Sequence, residues 1–416
     1  MNKALFKIFT FMLVLTGLMM TSCSDDDGES KISVKFNATP LVEGTVSIEK
    51  LAGLKVEFKE TTRQDITNAE LDESGTAIVE LYKGTYDISV DGTIENDDEE
   101  EIVVSVKMLG TSILEDQQNI EGKVNTLPKK ALGQDFIFSE IFFNGETNSG
   151  RMMHPDQYIV IFNPTEKTLY ADGLCISVTR CASHIDEPIW YKKYYPNKIP
   201  ILGFITIPGS GKEHAVAPGE KLVIAFNAAD HSKVEGWENA VDLSGADYEI
   251  YWGPESKDID NPEVDNVIHT SLDETPFFFH PRGFWSPVMF RLENGNEDSI
   301  KKFIDANTTK DKEKQHNWDT NEDEIVEVNI TYIAADKIID GVITGHEAGR
   351  GIVTATLPEN IDRGNFKVEG CHRQQLAIRK EIKVGSKIFY QDTNNSTDDF
   401  IRRKGQTAYP KGWRNK

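Results

Sequence analysis

The sequence lacks the short motifs that carry catalysis in the common enzyme families. It contains no GxSxG nucleophile elbow, no HExxH zinc motif and no complete Walker loop. The nearest approach to a phosphate loop, Gly209-Ser-Gly-Lys212, has no leading glycine, and Glu213 stands where serine or threonine is needed. The nine histidines are spread thinly, with no pair at metal-ligand spacing. We therefore expect a protein that is not an enzyme, binds no metal and needs no cofactor.

Blocks of positive charge are also missing. The chain of 416 residues carries 45 Lys and Arg against 68 Asp and Glu, for a formal net charge of −23. Proteins that bind nucleic acid neutralise phosphates with clustered Lys and Arg, so this composition excludes nucleic acid as an expected partner. The chain is also longer than one ordinary domain, which predicts two domains.

Long apolar runs are absent except at the N-terminus. Residues 1–22 begin with Lys3 and Lys7, continue into an apolar stretch too short to span a bilayer comfortably, and stop at Cys23. This pattern resembles a bacterial lipoprotein signal, which implies removal of 1–22 and lipidation of Cys23. The alternative is an ordinary secretory signal with an incidental cysteine. Residues 23–30 form an acidic tether that resembles the export tag of Bacteroidota surface lipoproteins. The expected location is the outer membrane, lipid-anchored and facing outward.

Cysteines are few. Besides Cys23 the chain has Cys175, Cys181 and Cys371, which in an oxidising compartment permits one disulfide and leaves one thiol. Cys175 and Cys181 are close in sequence and are the candidate pair. The alternative is three buried free thiols that pack as small hydrophobic side chains.

The first domain is predicted over residues 31–118. Apolar and polar residues alternate at Ile32, Val34 and Phe36, and again in later segments, which is typical of half-buried strands. The turn Asp72-Glu-Ser-Gly75 opens the run from Glu73 to Ser89, which continues with a strand and then a G-x-Y strand. It resembles transthyretin-like or carboxypeptidase-regulatory-like modules, which implies a β-sandwich. Residues 119–130 are predicted to be a linker.

The second domain is predicted over residues 131–416, and its most regular part runs from 135 to 177. Two apolar runs of strand length end at turn residues, Asn144 and then Asn163-Pro164, and a third strand follows. Segments that resemble the lamin-tail domain, an immunoglobulin-like sandwich, are Phe138-Ser-Glu-Ile141, Tyr158 to Pro164, Ala171-Asp-Gly-Leu174, Val216 to Ala225, Val288 to Asp298, Leu376-Ala-Ile-Arg379, Asp392 to Phe400 and Pro410 to Trp413. The resemblance covers far more than the about 100 residues of one sandwich, so insertions are expected near 182–212, 226–285 and 299–372.

The expected fold class is therefore all-β, with an immunoglobulin/transthyretin-like sandwich followed by a lamin-tail-like sandwich. The layout also resembles a family of Bacteroidota lipoproteins of unknown function that tend to accompany TonB-dependent outer-membrane receptors. That resemblance implies a role in nutrient capture.

Aromatic residues are dense in the predicted insertions, and they are the candidate ligand-binding residues. Aromatic faces beside cations suit sugar rings, iron chelates or a receptor rim. The alternative is that they pack the insertions onto the sandwich. The residues are Trp190, Tyr191, Tyr194, Tyr195, Trp252 and Trp285.

Two functional hypotheses follow. The first is a non-catalytic ligand-capture or accessory subunit that works with a TonB-dependent receptor, its ligand a glycan or an iron chelate. The second is a structural or adhesion scaffold at the outer-membrane surface, with the first domain as a spacer.

Overall fold

A computed structural model describes residues 30–40, 46–96, 99–128, 133–146, 156–237, 239–253, 259–317, 319–384 and 387–415. The predicted signal segment 1–22, the lipidation residue Cys23 and residues 24–29 of the tether lie outside this set. Within it, no helix is both long enough and apolar enough to cross a membrane. The chain divides into two compact units, one made of Met1–Glu99 and Val104–Thr126 and the other of Glu100–Val103 and Leu127–Lys416.

In the first unit, the described residues form seven strands and one short 3₁₀ turn, Ile48–Leu51. The strands are β1 Ile32–Pro40, β2 Lys55–Glu60, β3 Ile66–Glu70, β4 Thr76–Leu81, β5 Gly84–Glu95, β6 Glu101–Ile113 and β7 Gln118–Pro128.

These strands are hydrogen-bonded in the order β3-β2-β5-β6-β7-β1-β4. The predicted alternation is confirmed in β1, where Ile32, Val34 and Phe36 are buried and the residues between them are not. The ring of Phe36 meets the ring of Phe58 edge-on, with centroids 6.2 Å apart. Because β1 and β2 lie far apart in the strand order, this contact requires the two halves of the sheet to face each other around a shared core.

The predicted linker 119–130 is wrong over most of its length. Residues through Pro128 form β7, which runs parallel to β1 with Val34 opposite Gln118. Its apolar residues Ile120 and Val124 are buried, so the segment serves as a core strand of the first unit.

The second unit contains twenty strands, three short or medium α-helices and three 3₁₀ turns among the described residues. The strands are β8 Ile137–Asn144, β9 Tyr158–Phe162, β10 Leu169–Tyr170, β11 Leu174–Ala182, β12 Lys198–Thr206, β13 Ala215–Val216, β14 Lys221–Ala225, β15 Tyr248–Glu249, β16 Asp265–Asn266, β17 Ile268–Thr270, β18 Trp285–Arg291, β19 Thr308–Asn317, β20 Glu322–Ala334, β21 Ile338–Gly341, β22 Thr344–His346, β23 Phe366–Val368, β24 Gln375–Arg379, β25 Glu381–Val384, β26 Lys387–Tyr390 and β27 Phe400–Lys404. The helices are Tyr191–Tyr194, Glu297–Asn307 and Ser396–Asp399, and the 3₁₀ turns are His231–Lys233, Ala335–Lys337 and Trp413–Asn415.

Two seven-stranded sheets form the body of this unit. One has the order β16-β15-β14-β9-β8-β24-β27, and the other has β19-β20-β12-β11-β18-β21 with β17 also paired to β12. The main core lies between them, since it combines Ile159 and Ile161 of β9 with Ile176 and Val178 of β11. Further apolar clusters cover the outer faces of the same strands, for example around Phe204 of β12.

The strands predicted between residues 135 and 177 are confirmed. All five residues of β9 are buried, as expected for a strand covered on both faces. Asn163 then turns the chain, because its side-chain nitrogen donates to the carbonyls of Lys167 and Val216. Gly219 has φ +77, the left-handed conformation that its turn requires. The mostly-β fold expected from the sequence is therefore confirmed.

Residues 182–212 differ from the expected insertion. They contain β12, which is hydrogen-bonded to β11 on one side and to β17 and β20 on the other. The segment thus supplies an interior strand of its sheet. The segment 299–372 is more peripheral at its start, where β19 and β20 form a long, exposed hairpin.

Candidate functional site

The Trp190 cluster is buried, which favours the alternative that these aromatic residues pack their segment onto the sandwich. Trp190, Tyr191 and Tyr194 expose 2%, 7% and 3% of their surface. They pack with Cys181 and with β20, and the Trp190 indole nitrogen donates to Glu313 Oε1 at 2.9 Å. The two lysines of this segment, Lys192 and Lys193, lie on the exposed side of the short helix Tyr191–Tyr194. The aromatic side chains themselves attach this segment to the β19–β20 hairpin.

The other three candidate residues are half-buried. Tyr195 stacks on Tyr191 with centroids 4.8 Å apart, and Trp252 leans against His269 at 4.5 Å. Trp285 begins β18 and meets His280 edge-on at 5.6 Å. Trp252 and Trp285 therefore have different partners from the Trp190 cluster. Of these three residues, Trp285 belongs to a larger group of histidine and aromatic rings.

The predicted Cys175–Cys181 disulfide is wrong. Both residues lie on β11, and both are buried free thiols. Six residues of strand separate their Cα atoms by about 20 Å, whereas a disulfide needs about 4.4–6.8 Å. Burial raises the pKa of each thiol to about 12. Cys371 is also a free thiol and is half-buried.

A group of stacked rings stands around Phe284, and we call it the Phe284 ring column. His184 lies parallel to Phe284 with centroids 3.5 Å apart, and His280 lies parallel to it at 4.2 Å. Two rings this close cannot share one face, so the histidines cover opposite faces of the phenylalanine. His346 meets its edge at 5.1 Å. Trp285 extends the column through its contact with His280.

Three strand ends build this column. Ala182 of β11 lies opposite Trp285 of β18, and the Ser183 N–H donates to the Phe284 carbonyl at 2.8 Å. The side chain of Thr344 in β22 donates to the Gly283 carbonyl at 2.8 Å, which brings the end of β22 alongside. The rings therefore stand on backbone that is fixed by sheet hydrogen bonds.

Charge in the column comes from Arg282. Its guanidinium lies 6.0 Å from the Phe284 ring centroid, and within the described parts of the chain it forms no ion pair. Arg363, Arg373 and Arg403 likewise form no ion pair among the described residues, whereas the arginines that do pair with carboxylates are Arg63, Arg180, Arg291, Arg350, Arg379, Arg402 and Arg414. In a chain of net charge −23, a guanidinium without a carboxylate is available to an anion.

The pKa values of two histidines of the column, His184 and His346, are lowered. Burial lowers the pKa of His184, and the nearby His346 and Arg282 lower it further. Burial and Arg282 likewise lower the pKa of His346. The Nδ1 atoms of both rings are buried without a hydrogen-bond partner among the described residues. The column thus presents aromatic surface, imidazole rings and one fixed positive charge.

Sequence reasoning missed a second group, Asp172, Glu213 and His214. One potential ligand atom from each residue lies within 4.8 Å of the other two. The sequence separates Asp172 from the other two by some forty positions, so no spacing rule could have found it. The pairing of β10 with β13 brings them together, since Tyr170 lies opposite Ala215.

Comparison with known proteins finds a family model that matches part of the second unit. The model of the family "Protein of unknown function (DUF4876)" matches residues 217–407. No curated protein sequence matches the chain.

Two solved structures resemble it. A crystal structure of a DUF4876 family protein from Bacteroides thetaiotaomicron VPI-5482 matches 92% of this chain and 97% of that chain, with a TM-score of 0.53 and 20% identity. A DUF3823 family protein from Parabacteroides merdae ATCC 43184 matches 36% of this chain and 66% of that chain, with a TM-score of 0.17 and 11% identity, which is too low to bear on the fold. Residues 217–407 are therefore similar to the DUF4876 family, and the chain as a whole has the mostly-β fold of a DUF4876 protein of known structure.

Proposed function

We propose that the protein is a cell-surface lipoprotein of the outer membrane that captures a ligand without catalysis and passes it to a TonB-dependent receptor. The signal-like residues 1–22 and the cysteine at 23 support the anchor, and the acidic tether supports surface display. We also propose that the first unit is transthyretin-like and that the second is a lamin-tail-like sandwich. The site of capture is the Phe284 ring column.

The observation that carries this proposal is the position of Arg282 beside the stacked rings. The histidines cover both faces of Phe284, so a flat ligand would lie against the outer rings of the column, and the guanidinium adds a charge that no described carboxylate neutralises. Of the two expected ligand classes, the anionic iron chelate fits better than an uncharged glycan. A catecholate or haem offers both a flat ring and a negative charge.

A ligand panel tests this proposal. We expect a ferric catecholate or haem to raise the melting temperature of the purified protein, and neutral glycans to leave it unchanged. Replacing Arg282 with glutamine, or Trp285 with alanine, should weaken the binding at least about tenfold, which corresponds to about 1.4 kcal/mol. Arg350→Gln is the matched control, because that arginine is exposed and already paired with Asp186 at 2.6 Å. Equal binding by the Arg282 variant and the control would refute the assignment of the site.

The alternative function is a scaffold or adhesion protein, and the sandwich form of the first unit favours it because such modules often act as spacers. A pull-down from native membranes separates the two. Recovery of a TonB-dependent receptor in stoichiometric amount supports capture, whereas its absence favours a scaffold. Protease treatment of intact cells tests surface display, and full protection of the protein would contradict it.

A further inference from the structure

Asp172, Glu213 and His214 converge where the chain leaves β10 and where it enters β13. Asp172 is fully buried in its side chain, His214 is 29% exposed, and the closest approach is 3.5 Å between His214 Nδ1 and Asp172 Oδ1. Within the described residues, these three are the one group of His, Cys, Asp and Glu side chains whose ligand atoms come close enough to share a metal ion.

The 3.5 Å between His214 Nδ1 and Asp172 Oδ1 is close to the spacing of two ligand atoms on one metal ion. Ligand atoms at about 2.0–2.1 Å from a tetrahedral ion are about 3.3 Å from each other. His214 Nδ1 is buried and takes no hydrogen bond from the described residues, although a carboxylate oxygen stands this close to it. The lone pair of this nitrogen and the negative charge of the Asp172 oxygen repel each other unless a cation or a proton lies between the two atoms.

The carboxylate of Asp172 is already oriented. The backbone N–H groups of Gly211 and Glu213 donate to Oδ1 at 3.2 and 2.9 Å, and that of His214 donates to Oδ2 at 2.9 Å. A Cβ atom at Gly209 would collide with Asp172 Oδ1, so glycine is required for the loop to wrap this carboxylate. Hydrogen bonds of this kind fix metal-binding carboxylates in place.

Burial raises the pKa of Asp172, but the hydrogen bonds from His214, Glu213 and Gly211 outweigh burial and hold its pKa below the ordinary value. The same three N–H groups fix the orientation of the carboxylate. The ring of His214 is also held, since it meets Tyr248 edge-on with centroids 5.7 Å apart.

We propose that Asp172, Glu213 and His214 bind a divalent transition-metal ion of the zinc class. One imidazole and two carboxylates are a donor set that zinc accepts, whereas calcium prefers six to eight oxygen ligands. A cavity of about 370 Å³ borders Glu213 and His214, which leaves room for a water as fourth ligand. The arginine that lines this cavity, Arg414, is paired with Asp247 at 2.7 Å and does not compete for the site.

The proposal is tested with Zn²⁺ on the full chain after treatment with EDTA. We expect equilibrium dialysis with elemental analysis to find one Zn²⁺ per chain that is lost in the His214→Ala variant, with affinity weakened more than about 100-fold, beyond the usual loss for an outer-shell residue. Glu213→Gln should weaken it to a lesser degree. Co²⁺ in place of Zn²⁺ should give the visible absorption of a tetrahedral site in the parent protein and not in His214→Ala.

The matched control is His316→Ala, which removes a histidine whose Nδ1 lies 3.0 Å from Asp323 Oδ1 on the β19–β20 hairpin. This variant should keep the Zn²⁺ affinity of the parent. The proposal is wrong if the parent binds no Zn²⁺ below millimolar concentration, or if His214→Ala and His316→Ala bind it equally. Circular dichroism of each variant establishes that loss of binding is not loss of fold.

Discussion

Replacing Arg379 with methionine should cost the second unit about 3–5 kcal/mol of unfolding free energy. The side chain is 2% exposed and lies among three carboxylates. Nη2 is 2.8 Å from Asp340 Oδ2, and Nη1 is 2.9 Å from Asp392 Oδ1 and 3.7 Å from Asp399 Oδ2. Nε donates to the Phe138 carbonyl at 2.8 Å. The guanidinium thus links β24 to β8, to β21 and to the loop before β27.

The magnitude follows from what remains after the change. Methionine fills a similar volume, but it leaves Asp340 and Asp399 with 5% and 2% of their side chains exposed and no cation beside them. Burial already raises the pKa of Asp340 to about 7, even though Arg379 lowers it. Without the guanidinium this pKa rises further, so the folded variant must either protonate the carboxyl or bury an unpaired charge.

The pH dependence has a definite sign. Asp340 has a folded-state pKa above its unfolded value of 3.8, so the folded protein loses stability as pH rises from about 4 to 7. In Arg379→Met the folded-state pKa is higher still, so this loss continues to higher pH. The gap in stability between the parent and Arg379→Met should therefore be larger at pH 8 than at pH 5. Partial recovery in the double variant Asp340→Asn, Arg379→Met would have the same cause.

Scanning calorimetry of the full chain measures the effect. With an unfolding entropy of about 2.1 cal/mol/K per residue over about 290 residues, the loss corresponds to a fall of roughly 5–8 °C in the melting temperature of the second unit. The control is Arg402→Met, whose partly exposed guanidinium pairs with Glu347 at 2.7 Å and with Glu369 at 3.3 Å. That change should cost about 0–1 kcal/mol. If the two variants melt within 2 °C of each other at pH 8, roughly 1 kcal/mol, the reasoning about Arg379 is refuted.

Three further predictions concern groups outside this ion cluster. The pKa of His346 is lowered in the folded state, so its contribution to stability is complete above the unfolded pKa of 6.5 and is lost as pH falls through the folded pKa. His346→Gln should therefore reduce the change in melting temperature between pH 7 and pH 5. An unchanged slope of melting temperature against pH would contradict this. Trp190→Ala should cost about 3–5 kcal/mol in urea unfolding, because it leaves a cavity and removes the hydrogen bond to Glu313, and a loss below about 1 kcal/mol would mean that the cluster is not core. A thiol reagent should label Cys371 well before Cys175 in the folded protein, since burial raises the pKa of Cys175 to about 12; equal labelling rates would show that β11 opens.

Alternation and turn residues were enough to predict most of the strands, because burial on one face imposes a period of two. The sequence showed β1 through Ile32, Val34 and Phe36, and it showed β9 as a run of five apolar residues between polar turns. It failed at β7, where Gly122 and the polar residues around Ile120 resemble a linker. The burial of that strand depends on its parallel partner β1, which lies far away in sequence.

The same limit explains the errors at the candidate sites. Cys175 and Cys181 were paired because they are close in sequence, with the polar residues Thr179 and Arg180 between them. Those side chains are accommodated inside the structure, since Thr179 is buried and donates to the Cys181 carbonyl at 2.9 Å, and Arg180 pairs with Glu313 at 2.8 Å. Polar residues with buried partners cannot be distinguished from loop residues without knowing those partners.

Glu313 connects two of these errors. It accepts hydrogen bonds from the Trp190 indole nitrogen and from Arg180. Burial alone would raise the pKa of Glu313, but the Arg180 guanidinium outweighs burial and lowers it. One carboxylate on the exposed β19–β20 hairpin therefore holds both the aromatic segment after β11 and the arginine within β11. The hairpin therefore contributes to the packing of neighbouring segments, although most of its own side chains face solvent. For this reason the Trp190 segment is better regarded as a structural anchor for the hairpin, and the search for a ligand moves to the strand ends at Phe284 and His214.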